Sequence, residues 1–183
     1  MVHVDREAWL RFNRAIFHYE SLGFSYLDVP WAVAPHITAM TKPPEAKDYP
    51  FGEQCLVGSA EQGFLSLLGS DSCPDKELYY SITPCFRDEI EDQFHKKYFM
   101  KLELITRNRT KFHTIFNAAY SFFLSEVEDI GKLTFSDIGK GKDIFYKGIE
   151  IGSYYKNSEY VCGTGLAEPR FTIAQDYGYD NDN

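Results

Sequence analysis

The stretch Ser81–Ile105, SITPCFRDEIEDQFHKKYFMKLELI, concentrates the side chains best suited to chemistry. It reads as two strands, 78–87 and 98–106, rich in Tyr, Ile, Thr and Leu and joined by the charged run 88–97. Alternate residues of a strand share a face. Ser81, Thr83, Cys85 and Arg87 therefore lie on one side of the first strand, and Phe99, Lys101 and Glu103 on one side of the second, with Tyr, Ile, Met and Leu opposite. Arg87, Phe99 and Glu103 on a common face suit a nucleotide. A guanidinium fork neutralises a phosphate, a ring stacks on a base, and a carboxylate holds an ammonium or a hydroxyl. The same alternation also fits a half-buried hairpin with ordinary surface charges.

Helices and further strands must position this hairpin. Residues 5–21 form an amphipathic helix, with Trp9, Phe12, Ile16 and Tyr19 on one face and Gly23 at its stop. A strand follows over 24–29 and ends at Pro30. Residues 41–52 read as a proline-rich loop, 54–57 as a short strand, and 60–68 as a short helix stopped by Gly69. The strongest helix is 108–127, with Phe112, Phe116, Ala119, Phe123 and Val127 on one face and Asn108 or Thr110 as cap. Residues 132–137 and 143–155 are strand-like. A glycine-containing turn over 163–170 leads to a last short helix, and 176–183 form a polar, frayed tail. The order predicts an α+β fold, a mainly antiparallel sheet flanked by helices, as one domain over residues 1–183.

The bulk properties narrow the partners. The 183 residues are 44% hydrophobic and 16% aromatic, enough for a real core. A net charge of −8 gives no overall attraction to nucleic acid. No apolar run approaches the roughly 20 residues of a membrane-spanning helix. Asp5 and Glu7 argue against a signal peptide, so a cytoplasmic protein is expected. Cys55, Cys73, Cys85 and Cys162 form no CxxC pair and read as buried free thiols.

TPCFRDE followed by FMKLEL resembles the second signature motif of the class II aminoacyl-tRNA synthetases, in wording closest to the seryl enzymes. Four other segments resemble family motifs in the family's order. LDVPW (27–31) is similar to the helix–strand–proline element of the dimer interface. LVGSAEQ (56–62) is similar to the loop that holds the substrate's α-amino group. GIEIGSYY (148–155) is similar to the metal-binding strand, and GTGLAEPR (163–170) to the glycine-rich third motif. The third motif departs from the pattern at Ala167 and Pro169.

The resemblance implies an ATP-dependent enzyme with Mg²⁺, cut down to its catalytic core. Arg87 and Arg170 would be catalytic, at the α- and γ-phosphates. Glu89 would sit at the adenine end, Phe99 would stack on the base, and His95 would reach the phosphates. Ser59, Glu61 and Glu103 would bind the amino acid, and Glu150 and Ser153 the metal. The last two have opposite parity on a regular strand, so a bulge at Gly152 is expected. Ser59 can equally cap the helix from Ala60, with Gln62 in a capping box. The partners implied are ATP, a small amino acid, an acceptor (tRNA, carrier protein or small molecule) and a second copy of the chain in a homodimer. Two alternatives stand beside this. One is a catalytically inert relative that binds tRNA, an effector or a protein; the other is an ammonia-dependent amide ligase of the asparagine synthetase type.

Overall fold

The computed structural model describes residues 4–43, 46–68, 77–88 and 90–177. In chain order the elements are α1 (Arg6–Ser21), β1 (Ser25–Tyr26), β2 (Ala32–Val33), α2 (Pro35–Thr38), β3 (Tyr49–Phe51), β4 (Gln54–Leu56) and α3 (Ala60–Leu68). There follow β5 (Tyr79–Phe86), β6 (Tyr98–Thr106), α4 (Phe112–Glu126), β7 (Leu133–Asp137), β8 (Gly141–Tyr146), β9 (Ile149–Lys156), β10 (Val161–Glu168) and α5 (Arg170–Asp176). A seven-stranded sheet runs β1-β5-β6-β10-β9-β8-β7, and a three-stranded sheet runs β2-β4-β3. Every pairing in the large sheet is antiparallel except β1 with β5. The α+β architecture expected from the sequence is the one observed.

One face of the large sheet carries the main core. Phe12, Ala15 and Tyr19 of α1, Phe116, Ala119, Phe122 and Phe123 of α4, and Phe171 of α5 pack on Tyr80, Leu102, Leu104, Tyr154 and Leu166. Each large side chain buried there contributes roughly 1.5–3 kcal/mol. The stripe expected on α4 is the buried one, including Val127 just past its end. Asn108 caps a 3₁₀ turn over Arg109–Lys111, with Oδ1 accepting from Thr110 N at 3.1 Å, and not α4 itself. On α1 the buried set is Ala8, Arg11, Phe12, Ala15 and Tyr19. Trp9, expected in the core, is 48% exposed, because it lies one residue off that stripe. The opposite face of the sheet packs α3: Ala60, Phe64 and Leu65 meet Tyr79, Ile105, Tyr160 and Cys162.

Three strand expectations are corrected. The 24–29 strand shrinks to β1, which pairs only with Tyr79 and Tyr80 before the chain turns at Pro30 into the small sheet. The single strand over 143–155 is a hairpin of β8 and β9, turned by Lys147 (φ 51°) and Gly148 (φ 80°). Such left-handed residues match the twist of a two-residue hairpin. Of the glycine turn expected over 163–170, residues 163–168 belong to β10 (Val161–Glu168), a strand buried at all eight positions. A Cβ on Gly163 would stand 2.1 Å from the Tyr154 ring, and one on Gly165 2.3 Å from Leu102. The glycines therefore admit neighbouring side chains to a central strand and do not turn the chain. Gly69, Cys73 and the tail from residue 178 lie outside the described residues. Cys55, Cys85 and Cys162 are buried free thiols, as expected.

A buried ion pair ties α1 to the end of β10. Arg11 reaches Glu168, whose side chain is fully buried, and also donates to Thr172 Oγ1 (3.1 Å) and Gln175 Oε1 (2.7 Å). Its guanidinium lies 5.0 Å from the centre of the Phe171 ring. Arg11→Met would strand Glu168 without its cation, and a loss of about 3 kcal/mol is expected in urea unfolding followed by circular dichroism.

Candidate functional site

The polar face of the β5–β6 hairpin is not a solvated surface. Ser81 pairs with Glu103, Thr83 with Lys101, and Cys85 with Phe99 across the strands. Ser81, Thr83, Cys85 and Glu103 are all buried, for α3 and the small sheet close over this side. Two cavities open there, of about 300 Å³ and about 170 Å³, and Arg87, Lys101, Ser153 and Thr164 line both.

The larger cavity holds the residues expected to meet an amino acid. Ser59, Glu61 and Glu103 line it, with Gln62, Tyr49 and Cys162. Glu61, in the first turn of α3, donates its backbone N–H to Glu103 Oε2 at 3.1 Å. Glu103 Oε1 accepts from Lys101 Nζ at 2.6 Å. The Tyr160 hydroxyl donates to Glu61 Oε1 at 2.5 Å. Burial, and then the Glu103 charge, push the Glu61 carboxyl up to about 7, against the opposing pull of Tyr160, Lys101 and Arg87. The folded chain thus holds this proton more tightly than the unfolded one. In the ligand-free protein this contribution to stability falls as pH rises from about 4.5 towards 7. Burial raises the thiols too, Cys85 to about 11 and Cys162 well above its ordinary range, so both are neutral walls. Of the expected capping box, the Gln62 side chain reaches back one residue beyond Ser59, its Oε1 accepting from Gly58 N at 2.7 Å.

Arg87 stands between the two cavities. Its Nε donates to Gly58 O at 3.1 Å, and its guanidinium lies 5.1 Å from the centre of the Phe99 ring. The smaller cavity is lined by Arg87, His95, Phe99, Glu150, Ser153, Ala167 and Arg170. His95 is tied into the connection between β5 and β6 by Asp92, 2.8 Å from its Nδ1. That hydrogen bond, with backbone donors from His95 and Phe94, holds the Asp92 carboxyl down to about 2. Arg170 opens α5 directly after Pro169, as the sequence suggested, and its Nη1 lies 3.5 Å from Glu150 Oε1. Glu89 lies outside the described residues.

Glu150 and Ser153 do reach one face of β9. The register against β8 slips between Ile144 and Phe145, which pair with Gly152 and Glu150 and leave Ile151 as the extra residue. The bulge thus sits one residue before the position expected. A second bulge, at Gly165 of β10, keeps both Thr164 and Ala167 on the cavity side.

Lys101 and Thr164, which line both cavities, and Tyr160 and Asp143, which stand beside Glu61 and Ser153, were not expected as site residues from the sequence. Tyr160 carries no motif signal. Asp143 pairs with Ser153 across β8 and β9, and its Oδ1 is buried with no hydrogen-bond partner. Its place seven residues before Glu150, on a strand that turns back, is hidden when 143–155 reads as one strand.

A sheet with this strand order, closed by α1, α4 and α5 on one face and by α3 over a charged double cavity on the other, matches solved class II aminoacyl-tRNA synthetases in fold. No protein-family model and no curated protein matches the sequence. Among solved structures, the chain is similar to the pyrrolysyl-tRNA synthetase PylSc of Desulfitobacterium hafniense, with a TM-score of 0.74 and 14% identity over 92% of this chain and 68% of that one. It is also similar to the seryl-tRNA synthetase of Pyrococcus horikoshii complexed with ATP (TM-score 0.68, 17% identity, 90% of this chain and 49% of that one). The cytoplasmic serine–tRNA ligase of Naegleria fowleri in complex with AMP gives a TM-score of 0.67 at 15% identity, over 91% of this chain and 47% of that one. The chain thus spans about two thirds of the pyrrolysyl enzyme and about half of the seryl ones. Among the described residues, no helix is long and apolar enough to cross a membrane.

The placement of Glu61 depends on α3 lying close to Val29 and Pro30. A Cβ on Gly63 would stand 2.8 Å from Val29 and 2.9 Å from Pro30 O. Gly63→Ala is expected to push α3 outward and to destabilise by about 1–3 kcal/mol, measured as a lowered urea midpoint.

Proposed function

We propose that the chain activates a small amino acid with ATP, forming an aminoacyl-adenylate and pyrophosphate, and passes the aminoacyl group to an acceptor. The observation that carries this reading is the position of Arg87, shared by a cavity with two buried carboxylates and a cavity with an aromatic ring and a second arginine. In such an arrangement the amino acid lies in the larger cavity, its ammonium at Glu61 and Glu103. ATP lies in the smaller one, its base on Phe99 and its outer phosphates towards Arg170 and His95. Arg87 then meets the α-phosphate at the junction, where the amino-acid carboxylate attacks it. It neutralises charge on the phosphate and holds the two reactants in line, which is most of what phosphoryl chemistry needs. Arg170 holds the departing pyrophosphate after leaving its contact with Glu150.

The oxygen donors on the sheet fit a hard cation such as Mg²⁺. Asp143 Oδ1 is buried without a partner opposite Ser153, and Glu150 faces the same cavity as Ser153. These residues would hold the ion together with substrate phosphates, and when bound it would supply countercharge to the phosphates. A small polar substrate is favoured because a second acid, Glu103, lines the cavity with Glu61 and suits an ammonium or a short polar side chain. The acceptor is a tRNA end, a carrier protein or a small molecule, and a cytoplasmic location fits each.

The test is amino-acid-dependent ATP–pyrophosphate exchange over all twenty amino acids with Mg²⁺. Exchange with one or two small amino acids is expected. Arg87→Ala should abolish it and weaken ATP binding roughly ten- to a hundredfold, as for loss of a charge-assisted contact. ATP binding without exchange would move the reading to the amide ligase, and neither to the inert relative.

A homodimer is proposed through residues 9–31. Within this stretch Trp9, Phe17, Leu22, Tyr26 and Trp31 are all exposed, an apolar concentration that isolated surfaces seldom carry. Light scattering is expected to give twice the monomer mass. A monomer at high concentration would refute this.

A further inference from the structure

Tyr160 is held from three sides. A tight turn fixes its backbone: Tyr160 N and Glu159 N donate to Asn157 Oδ1 at 2.9 and 2.8 Å, and Asn157 N donates back to Tyr160 O at 3.1 Å. Its ring is buried among Leu27, Val29, Phe64 and Ile105, edge-on to Tyr155. Its hydroxyl then ends on Glu61 Oε1. A phenol ordered this fully has lost its rotational freedom to the fold, so the carboxylate it touches is ordered with it.

Glu61 stands among charges of both signs. Glu103 and Lys101 face it from β6, Arg87 from the end of β5, and Tyr160 and Cys162 from β10 and the turn before it. Lys101 is bound to Glu103, and Arg87 is bound to Gly58 and lies over Phe99. The group that bonds the Glu61 carboxylate directly is thus the Tyr160 hydroxyl, a neutral donor, while the nearest ammonium is taken up by Glu103.

We propose that Tyr160 is a positioning residue that fixes Glu61 as the receiver of a protonated primary amine: its hydroxyl occupies one carboxylate oxygen and leaves the other to the ligand's ammonium, so the cavity takes amino acids and rejects the corresponding hydroxy acids. The proposal rests on the reading of the larger cavity as an amino-acid site and adds how that site selects its ligand. A hydroxyl in place of the ammonium would offer that oxygen a neutral donor where an ionised one binds more strongly. Because the ligand binds the ionised form of Glu61, affinity rises as pH passes upward through about 7. The Tyr160 hydrogen bond favours that ionised form, so removing it moves the midpoint to higher pH.

The experiment compares wild type, Tyr160→Phe and Glu61→Gln between about pH 5.5 and 8.5. Two quantities are read: the Glu61 carboxyl titration, by carbon NMR of protein labelled at glutamate, and pyrophosphate exchange with each of the twenty amino acids and with glycolate and lactate. In Tyr160→Phe both midpoints are expected to rise by about one pH unit, so that exchange near pH 6.5 falls roughly tenfold. ATP affinity, which reports the neighbouring cavity, should be unchanged. Glu61→Gln retains a carbonyl acceptor for Tyr160 and should lose the step near pH 7 altogether. Hydroxy acids should support no exchange. Unshifted midpoints in Tyr160→Phe, or a retained step in Glu61→Gln, would overturn the role of Tyr160 while amino-acid exchange in wild type left activation standing. No exchange with any amino acid in wild type would overturn activation itself and the ligand assigned to Glu61 with it, whatever the NMR midpoints.

Discussion

Glu103 joins the parts of this molecule that must not move apart. One of its oxygens accepts from Lys101, two residues away on the same strand, and the other accepts from the backbone of Glu61 in the first turn of α3. The first turn of a helix leaves its N–H groups without intrahelical partners and carries partial positive charge, so a carboxylate is a fitting neighbour there. Through this one side chain, the helix that roofs the larger cavity is fastened to the central hairpin that floors it. The rest of the site follows from that fastening. Gly58 is held where Arg87 can reach its carbonyl, and Arg87 is thereby kept at the boundary of the two cavities.

The two faces of the large sheet serve different ends. One is aromatic and aliphatic, closed by α1, α4 and α5, and provides most of the driving force for folding. The other buries charged and polar groups, which lowers stability unless each finds a partner. Their partners are mostly one another: Lys101 with Glu103, Tyr160 with Glu61, Arg87 with Gly58. Asp143 keeps an orphaned oxygen and Glu61 a raised carboxyl, and these are places where the proposed chemistry brings in a cation.

Patterns that repeat along the chain are legible in the sequence. The α4 stripe and the alternation of β5 and β6 each follow from a simple period, and both are observed. The bulge beside Gly152 follows from the common face that Glu150 and Ser153 demand, although it lies one residue earlier than expected. What the sequence hides depends on contacts between distant residues. Trp9 satisfies the helical period but faces outward, because Ala8 and Arg11 take the buried stripe. The Lys147–Gly148 turn lacks the Asn-Gly signal that marks most such hairpins. The glycines of β10 look like a turn because the residues that need their space, Tyr154, Leu102 and Tyr19, come from other elements. Tyr160 gains its meaning only from α3, which lies across the end of β10.

Strand β10 has no outward side. Val161 to Glu168 are all buried, between the helical layer and the cavities, and Gly163 and Gly165 stand directly against large neighbours. A substitution there has no solvent into which to point an added atom, and a smaller residue has no loop to collapse upon. Over evolutionary time this segment has little room to drift neutrally. While the exposed β7 edge can change freely, β10 acts as the fixed reference to which the remainder of the sequence must adapt.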